Sequence, residues 1–314
     1  MTGRPLAADR QSAPPLWLSA AAAVVRRMPW GRYRASRRLS ALRPVPFVAR
    51  TPPDLGGHAY RCDLGDAICR EVYFTGRYEP AKTQLVRALV RPGDTVIDLG
   101  ANWGYFTLAA AHWTGPSGRV VAFEPDPRLF QLLQGNVALN ALPAVTPVQA
   151  AVGERRGSGL FLGYEEGAEN RGVTRRAADG TAPHAFRTDV VALDEWCRGA
   201  HVDHVRLVKV DVEGDEHRAL RGMAEGLGRA AYDYVLLECH PDALREQHVT
   251  FEAMLGPLTS SGYALHVIDF SPATYSLAAR RALPLGELVE AYTGQPLGDW
   301  PHLLAVSPRM PPLR

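Results

Sequence analysis

Between residues 95 and 306 the chain alternates short apolar runs with stretches whose apolar positions recur at helical spacing. Residues 95–99, 120–123, 145–150, 205–210, 234–238, 264–268 and 303–306 read as seven strands. Residues 105–113, 127–140, 216–223 and 251–260 read as helices between them. Near-continuous apolar strands that alternate with helices predict an α/β fold: a doubly wound, mostly parallel seven-stranded sheet covered on both faces. Upstream, residues 59–62 read as an edge strand, 66–74 as a short strand or helix, and 81–90 as a helix ended by Arg91-Pro92-Gly93. Two polar stretches, at about 153–188 and 271–300, break the rhythm as insertions, and the first is expected to act as a lid.

The first strand ends in Asp98-Leu99-Gly100-Ala101-Asn102-Trp103-Gly104, a glycine turn into the following helix. Gly100 and Gly104 leave out the Cβ atoms that would keep a ligand at a distance, and Asp98 puts a carboxylate at the carboxyl end of the strand, where open α/β sheets bind ligands. The second strand ends in Glu124-Pro125-Asp126, where an acid can accept both hydroxyls of a ribose. A dinucleotide needs glycine at three set places so that pyrophosphate can meet a helix N-terminus, and here the middle position is Asn102 with shorter spacing. S-adenosylmethionine carries no phosphate, and its cationic groups favour a nearby carboxylate such as Asp98. The expected cofactor site is Asp98, Gly100, Asn102, Gly104 and Glu124, with Gln149 and Ala150 on the adenine side.

These segments, with the lead-in Glu71-Val72-Tyr73-Phe74-Thr75-Gly76-Arg77-Tyr78-Glu79-Pro80, with Val208-Lys209-Val210-Asp211-Val212-Glu213-Gly214-Asp215-Glu216 and with Leu236-Leu237-Glu238-Cys239-His240, stand in an order that resembles the FkbM family of S-adenosylmethionine-dependent methyltransferases. The resemblance runs over roughly residues 55 to 308. It implies a class I methyltransferase fold that acts on a hydroxyl, and it places Asp211 near the cofactor methionine or the acceptor.

Methyl transfer from a sulfonium is an in-line displacement, so the protein must align the acceptor and exclude water. An alcohol also calls for a base. Asp211, Glu213, Glu238 and His240 fill the ends of the fourth and fifth strands; His240 is the expected general base, paired with Glu238, while Asp211 aligns the acceptor. Tyr78, Glu79, Asn170, Arg171 and Glu213 are expected to contact the acceptor. The four strand-end side chains also offer ligands to Mg²⁺ or a similar ion. The family resembled is treated as metal-independent, and no metal is expected.

Net charge of +2 on 314 residues argues against a dedicated nucleic-acid binder. Cys62, Cys69, Cys197 and Cys239 show no metal or redox spacing, which fits reduced thiols and a cytoplasmic enzyme. Lys82 and Lys209 are the only lysines among abundant arginines, read here as the bias of a GC-rich genome. The first fifty residues differ: many arginines, one acid (Asp9), Trp17, Trp30, and an apolar run at 16–25. Arg26 and Arg27 follow that run, the reverse of a signal peptide, and it is too short to span a bilayer. Residues 1–54 are expected to form a basic, partly helical extension whose Leu/Trp/Val side packs on the 55–314 domain while Arg26, Arg27, Arg37 and Arg38 stay solvated. It could also dock a carrier protein, a membrane surface or a second subunit. The expected function is O-methylation of a small metabolite such as a sugar or polyketide. The alternatives are N-methylation of an amine, or cofactor binding without turnover.

Overall fold

The seven apolar runs become seven of the eight strands of one sheet in the computed structural model: β1 (Thr95–Leu99), β2 (Arg119–Phe123), β3 (Val145–Val148), β4 (Val205–Val210), β5 (Tyr232–Glu238), β6 (Ala264–Ile268), β7 (Val289–Ala291) and β8 (His302–Val306). Residues 13–28, 31–42, 45–177 and 179–313 are described. Residues 1–12, with Asp9, and Trp30 of the arginine-rich start lie outside the described residues.

The strand order is β7-β6-β8-β5-β4-β1-β2-β3. β5, β4, β1, β2 and β3 pair in parallel, whereas β8 runs antiparallel between β5 and β6. Successive side chains of a strand point to opposite faces. Accordingly Val96, Val120 and Leu207 join one buried cluster, and Ile97, Val121 and Val208 the other. The chain leaves β1 toward β2 on one side and later returns to β4 on the other. That reversal opens a crevice at the carboxyl ends of β1 and β4, where open α/β sheets bind ligands.

The eighth strand, β7, was not expected. Val289-Glu290-Ala291 carries no apolar run, and it is a strand because its backbone pairs with β6. The stretch that contains it also forms helices Pro272–Ala278 and Leu285–Leu288. The first insertion is likewise ordered: Ala151–Val152, Gly157–Leu162, Arg175–Arg176 and Ala185–Val191 form a second, four-stranded sheet. Its own small core is Ala151, Phe161 and Val190 with Phe186 against them, too few apolar positions to stand out in the sequence.

Residues 66–74, ambiguous between strand and helix in the sequence, lie in helix Ala67–Thr75 and its cap, Asp66, which accepts from Cys69 N at 2.8 Å. Helices Leu16–Arg27 and Arg32–Ser40 pack against it and against each other. Leu18, Ala22 and Val25 are buried there, while Trp17 and Val24 face outward. Arg26 is not simply solvated, since its Nη2 donates to Tyr73 O at 2.6 Å, and Arg37 lies 3.6 Å from Glu169. Among the described residues no helix is long and apolar enough to cross a membrane.

Candidate active site

Two adjoining cavities open at the carboxyl ends of β1, β2, β4 and β5. The first is lined by Phe123, Glu124, Ala150, Phe161, Thr174 and Asp215, among others. The second is lined by Tyr78, Asn102, Trp103, Phe106, Asn170 and Glu238, among others. Gly100, Gly172, Asp211 and Glu213 border both and so mark their junction.

The glycine loop is fitted to this place. Gly100 has φ +76°, and a Cβ there would fall inside the carbonyl oxygen of Asp211, so β1 and β4 approach as closely as backbone allows. Asn102 holds a left-handed φ of 54°. Its backbone N–H donates to Glu124 Oε2 at 2.8 Å, and Asp126 N–H donates to Oε1 at 2.9 Å. Each Glu124 oxygen therefore accepts one backbone hydrogen bond and keeps acceptor capacity toward the first cavity. Burial raises this carboxyl to about 8, against the lowering effect of those backbone donors. A ribose diol supplies two further donors to such a group. Thr174 Oγ1 lines the same cavity, buried and without a hydrogen-bond partner among the described residues. These residues fit S-adenosylmethionine.

Three expected cofactor contacts, Asp98, Gly104 and Gln149, lie elsewhere. Gly104 borders neither cavity, and a Cβ there would meet Leu133 Cδ1 at 2.8 Å, so that glycine makes room for packing. Asp98 borders neither cavity: Thr107 Oγ1 donates to its Oδ2 at 2.7 Å, and its Oδ1 lies 3.3 Å from Lys209 Nζ. Asp211, one of the two acids at the junction, lies 3.2 Å from the same ammonium. Gln149 is exposed, and Ala150 alone of that pair lines the cofactor cavity. Side chains alternate along extended backbone, which turns position 149 away when 150 faces in.

The strand-end acids and His240 converge, with different partners from those expected. His240 Nδ1 is 2.8 Å from Glu216 Oε1, its Nε2 is 3.3 Å from Glu213 Oε2, and Glu238 is farther, at 4.0 Å. Glu216 is the holder, fixed by accepting from Gly214 N at 2.9 Å. Burial alone would lower the His240 pKa, but the Glu216 hydrogen bond and neighbouring carboxylates outweigh it and raise it to about 9. His240 is thus an imidazolium at neutral pH, and it is absent from the lining of both cavities. Glu213 is raised to about 7, by burial first and Asp211 second, despite His240. It sits at the junction with φ 53°, a backbone cost that residues at functional sites often carry.

Glu238 lines the second cavity and is lowered: burial opposes ionisation, but Lys82 at 2.7 Å outweighs it. Lys82 also lies 2.7 Å from Glu79 and is almost wholly buried, so Glu79 contacts the lysine and borders neither cavity. Burial, offset in part by Lys82, raises Glu79 to about 7. Tyr78 and Asn170 do line the second cavity, whereas Arg171 pairs with Asp63 at 2.7 Å and lines neither. Asp211, Glu213 and His240 each bring a ligand atom within 4.8 Å of the others, as do Glu79, Glu238 and His302. In the second trio the Lys82 ammonium already stands on both carboxylates.

Sequence reading missed Lys82, Lys209, Glu216 and His302. A signal was present for the lysines: the chain's only two sit within apolar patterns and are buried at one site, while its remaining basic residues are arginine. Genome composition alone does not place both there. Burial lowers Lys209, yet Asp211 and Asp98 raise it overall.

The sheet order, the glycine loop and the ribose-type acid are those of the class I methyltransferase fold. Residues 98–265 match the methyltransferase FkbM domain, and the chain belongs to that family. A methyltransferase 1 of Beauveria bassiana is 30% identical over 149 residues, covering 42% of this chain and 59% of that protein. Methyltransferase sdnD of Sordaria araneosa is 30% identical over 190 residues, 51% of this chain and 71% of that one. The 31-O-demethyl-FK506 methyltransferase FkbM of Streptomyces tacrolimicus is 30% identical over 162 residues, 43% and 62% of the two chains. The match thus spans about three fifths of the first and third of these relatives.

Proposed function

We propose that this protein is an O-methyltransferase for a hydroxyl of a small metabolite, and that residues 55–314 form its catalytic domain with 1–54 as an extension. The observation that carries the reading is Glu213, an acid near neutral pKa placed where the two cavities join. The name of the Streptomyces relative, an O-methylating enzyme, agrees with it. S-adenosylmethionine, when bound, supplies a methyl group already activated on its sulfonium. Glu124 would accept from the ribose, and Asp211 would stand beside the cationic end of the cofactor.

The acceptor would enter the second cavity, between Tyr78, Phe106 and Asn170. Glu238, held ionised by Lys82, would accept a hydrogen bond from one acceptor hydroxyl and orient it. Glu213 would take the proton of the reacting hydroxyl. His240, protonated and held by Glu216, would stabilise the Glu213 carboxylate before that step. This assigns the base to Glu213 in place of His240, because a group charged at pH 7 has no free lone pair to offer. N-methylation of an amine is the second reading, favoured by the carboxylates of Asp211, Glu213 and Glu238 around one cavity, which suit an ammonium. Four buried, unpaired cysteines support a cytoplasmic location.

A screen of hydroxylated and aminated metabolites with a labelled methyl donor tests the reading. Label on oxygen of a small acceptor is the expected result. Label on nitrogen alone selects the second reading, and cofactor binding with no transfer to any acceptor class overturns both.

A further inference from the structure

Charge is divided unevenly along the chain. Residues 1–50 hold ten arginines and one aspartate, a net of +9, so the rest carries −7 within a total of +2. From residue 13 to residue 53 there is no acid at all. Such asymmetry points to an anionic partner for the extension.

Helix Leu16–Arg27 has a second face that none of the described residues covers. Leu18, Ala22 and Val25 bury one stripe, but the opposite stripe is apolar too: Leu16 is 89% exposed, Trp17 47% and Val24 64%, with Ala20 exposed between them. A surface helix ordinarily turns polar side chains outward. Here the only charges on that side come at its end, where Arg27 is exposed. The adjoining helix Arg32–Ser40 adds Arg34 and Arg38, exposed and one turn apart.

We propose that helices Leu16–Arg27 and Arg32–Ser40 dock on the surface of an anionic lipid bilayer, with Leu16, Trp17 and Val24 entering the headgroup boundary and Arg27, Arg34 and Arg38 meeting lipid phosphates. Bulky apolar side chains beside arginines are the composition of an interfacial helix, and tryptophan favours that depth. An acidic protein would read the arginines and leave three exposed apolar side chains without a role. A second copy of this chain, related by a two-fold axis, would bring like-charged arginines against one another. The surface is separate from the catalytic cavities, so the proposal stands apart from the acceptor's identity.

The test is cosedimentation of the full chain with vesicles of phosphatidylcholine alone, or of phosphatidylcholine with phosphatidylglycerol, at low and high salt. Wild type should bind the anionic vesicles, far less the neutral ones, and release in salt. Arg34→Gln with Arg38→Gln should weaken partitioning about fivefold per arginine. Leu16→Ser, Trp17→Ser and Val24→Ser together should abolish binding with an unchanged melting temperature, since the side chains are exposed. Failure of wild type to bind anionic vesicles, or equal binding to neutral ones, overturns the proposal. Retained binding by the triple serine variant also overturns it, leaving a purely electrostatic surface such as an acidic protein would use. A wild-type dimer in sedimentation velocity that the triple variant converts to monomer would assign the face to a second copy instead.

Discussion

Lys209 and Asp98 stand directly opposite each other across the parallel pairing of β4 and β1, with Nζ 3.3 Å from Oδ1 and both side chains buried. The same ammonium reaches Asp211 and the carbonyl of Gly100. One buried cation thus joins the glycine loop to the acid at the cavity junction.

Removing that cation leaves two carboxylates facing each other in a poorly solvated place. Lys209→Met is expected to cost about 3–5 kcal/mol of stability, the usual penalty for breaking a buried ion pair from one side. Urea unfolding measures it. Lys209→Met with Asp98→Asn should recover part of the loss, and no recovery would mean that Asp98 does not depend on the lysine.

Glu124 should couple cofactor binding to pH. In the free protein its carboxyl sits at about 8, and donation from a ribose favours the ionised form. Affinity for S-adenosylmethionine should therefore rise with pH, by at most about tenfold per unit, and level off above about 8. Calorimetry at neutral pH in buffers of different protonation enthalpy should show proton release on binding. Glu124→Gln should abolish the release and cost roughly 1.5–3 kcal/mol of affinity. Binding with no proton exchange would place Glu124 outside the ribose contact.

Glu213→Gln should lower turnover by about a hundredfold to ten-thousandfold while the cofactor still binds. Because the acid acts as carboxylate with a pKa of about 7, wild-type turnover should climb with pH through that region. The variant should lose that limb. A limb near 9 that disappears instead in His240→Gln would return the base to His240.

His240 should govern stability above neutral pH. Its pKa is raised from 6.5 to about 9, so the stabilisation it gains from Glu216 is complete below 6.5 and is lost as pH rises through 9. Unfolding free energies from urea titrations across that window should fall in wild type, with a slope of at most about 1.4 kcal/mol per pH unit, and flatten in His240→Gln. Equal slopes would show that other groups titrate there.

Residues of the first insertion, Phe161, Asn170, Gly172 and Thr174, line the cavities, so this sheet should respond to ligands. Hydrogen exchange across 153–188 should slow further when an acceptor joins the bound cofactor. Identical exchange with and without acceptor removes the lid role.

The sequence by itself determined the seven apolar strands of the main sheet and the principal helices between them, the turn at Gly100 and the acid at Glu124. These are local: apolar runs, a glycine where no Cβ fits, and fixed spacing between neighbouring strand ends each leave a mark in consecutive residues. It could not show that β7 would join the sheet, because three residues without an apolar pattern become a strand only when β6 offers its edge. Nor could it partner the charges. Whether His240 meets Glu238 two residues away or Glu216 on the helix that follows β4, whether Asp98 faces a cofactor or a lysine, and why the chain's two lysines share one site all depend on distances between segments remote in the chain. The pKa values that separate Glu213 from His240 follow from the same cause, since burial and neighbouring charge exist only once the sheet has brought β1, β4 and β5 together.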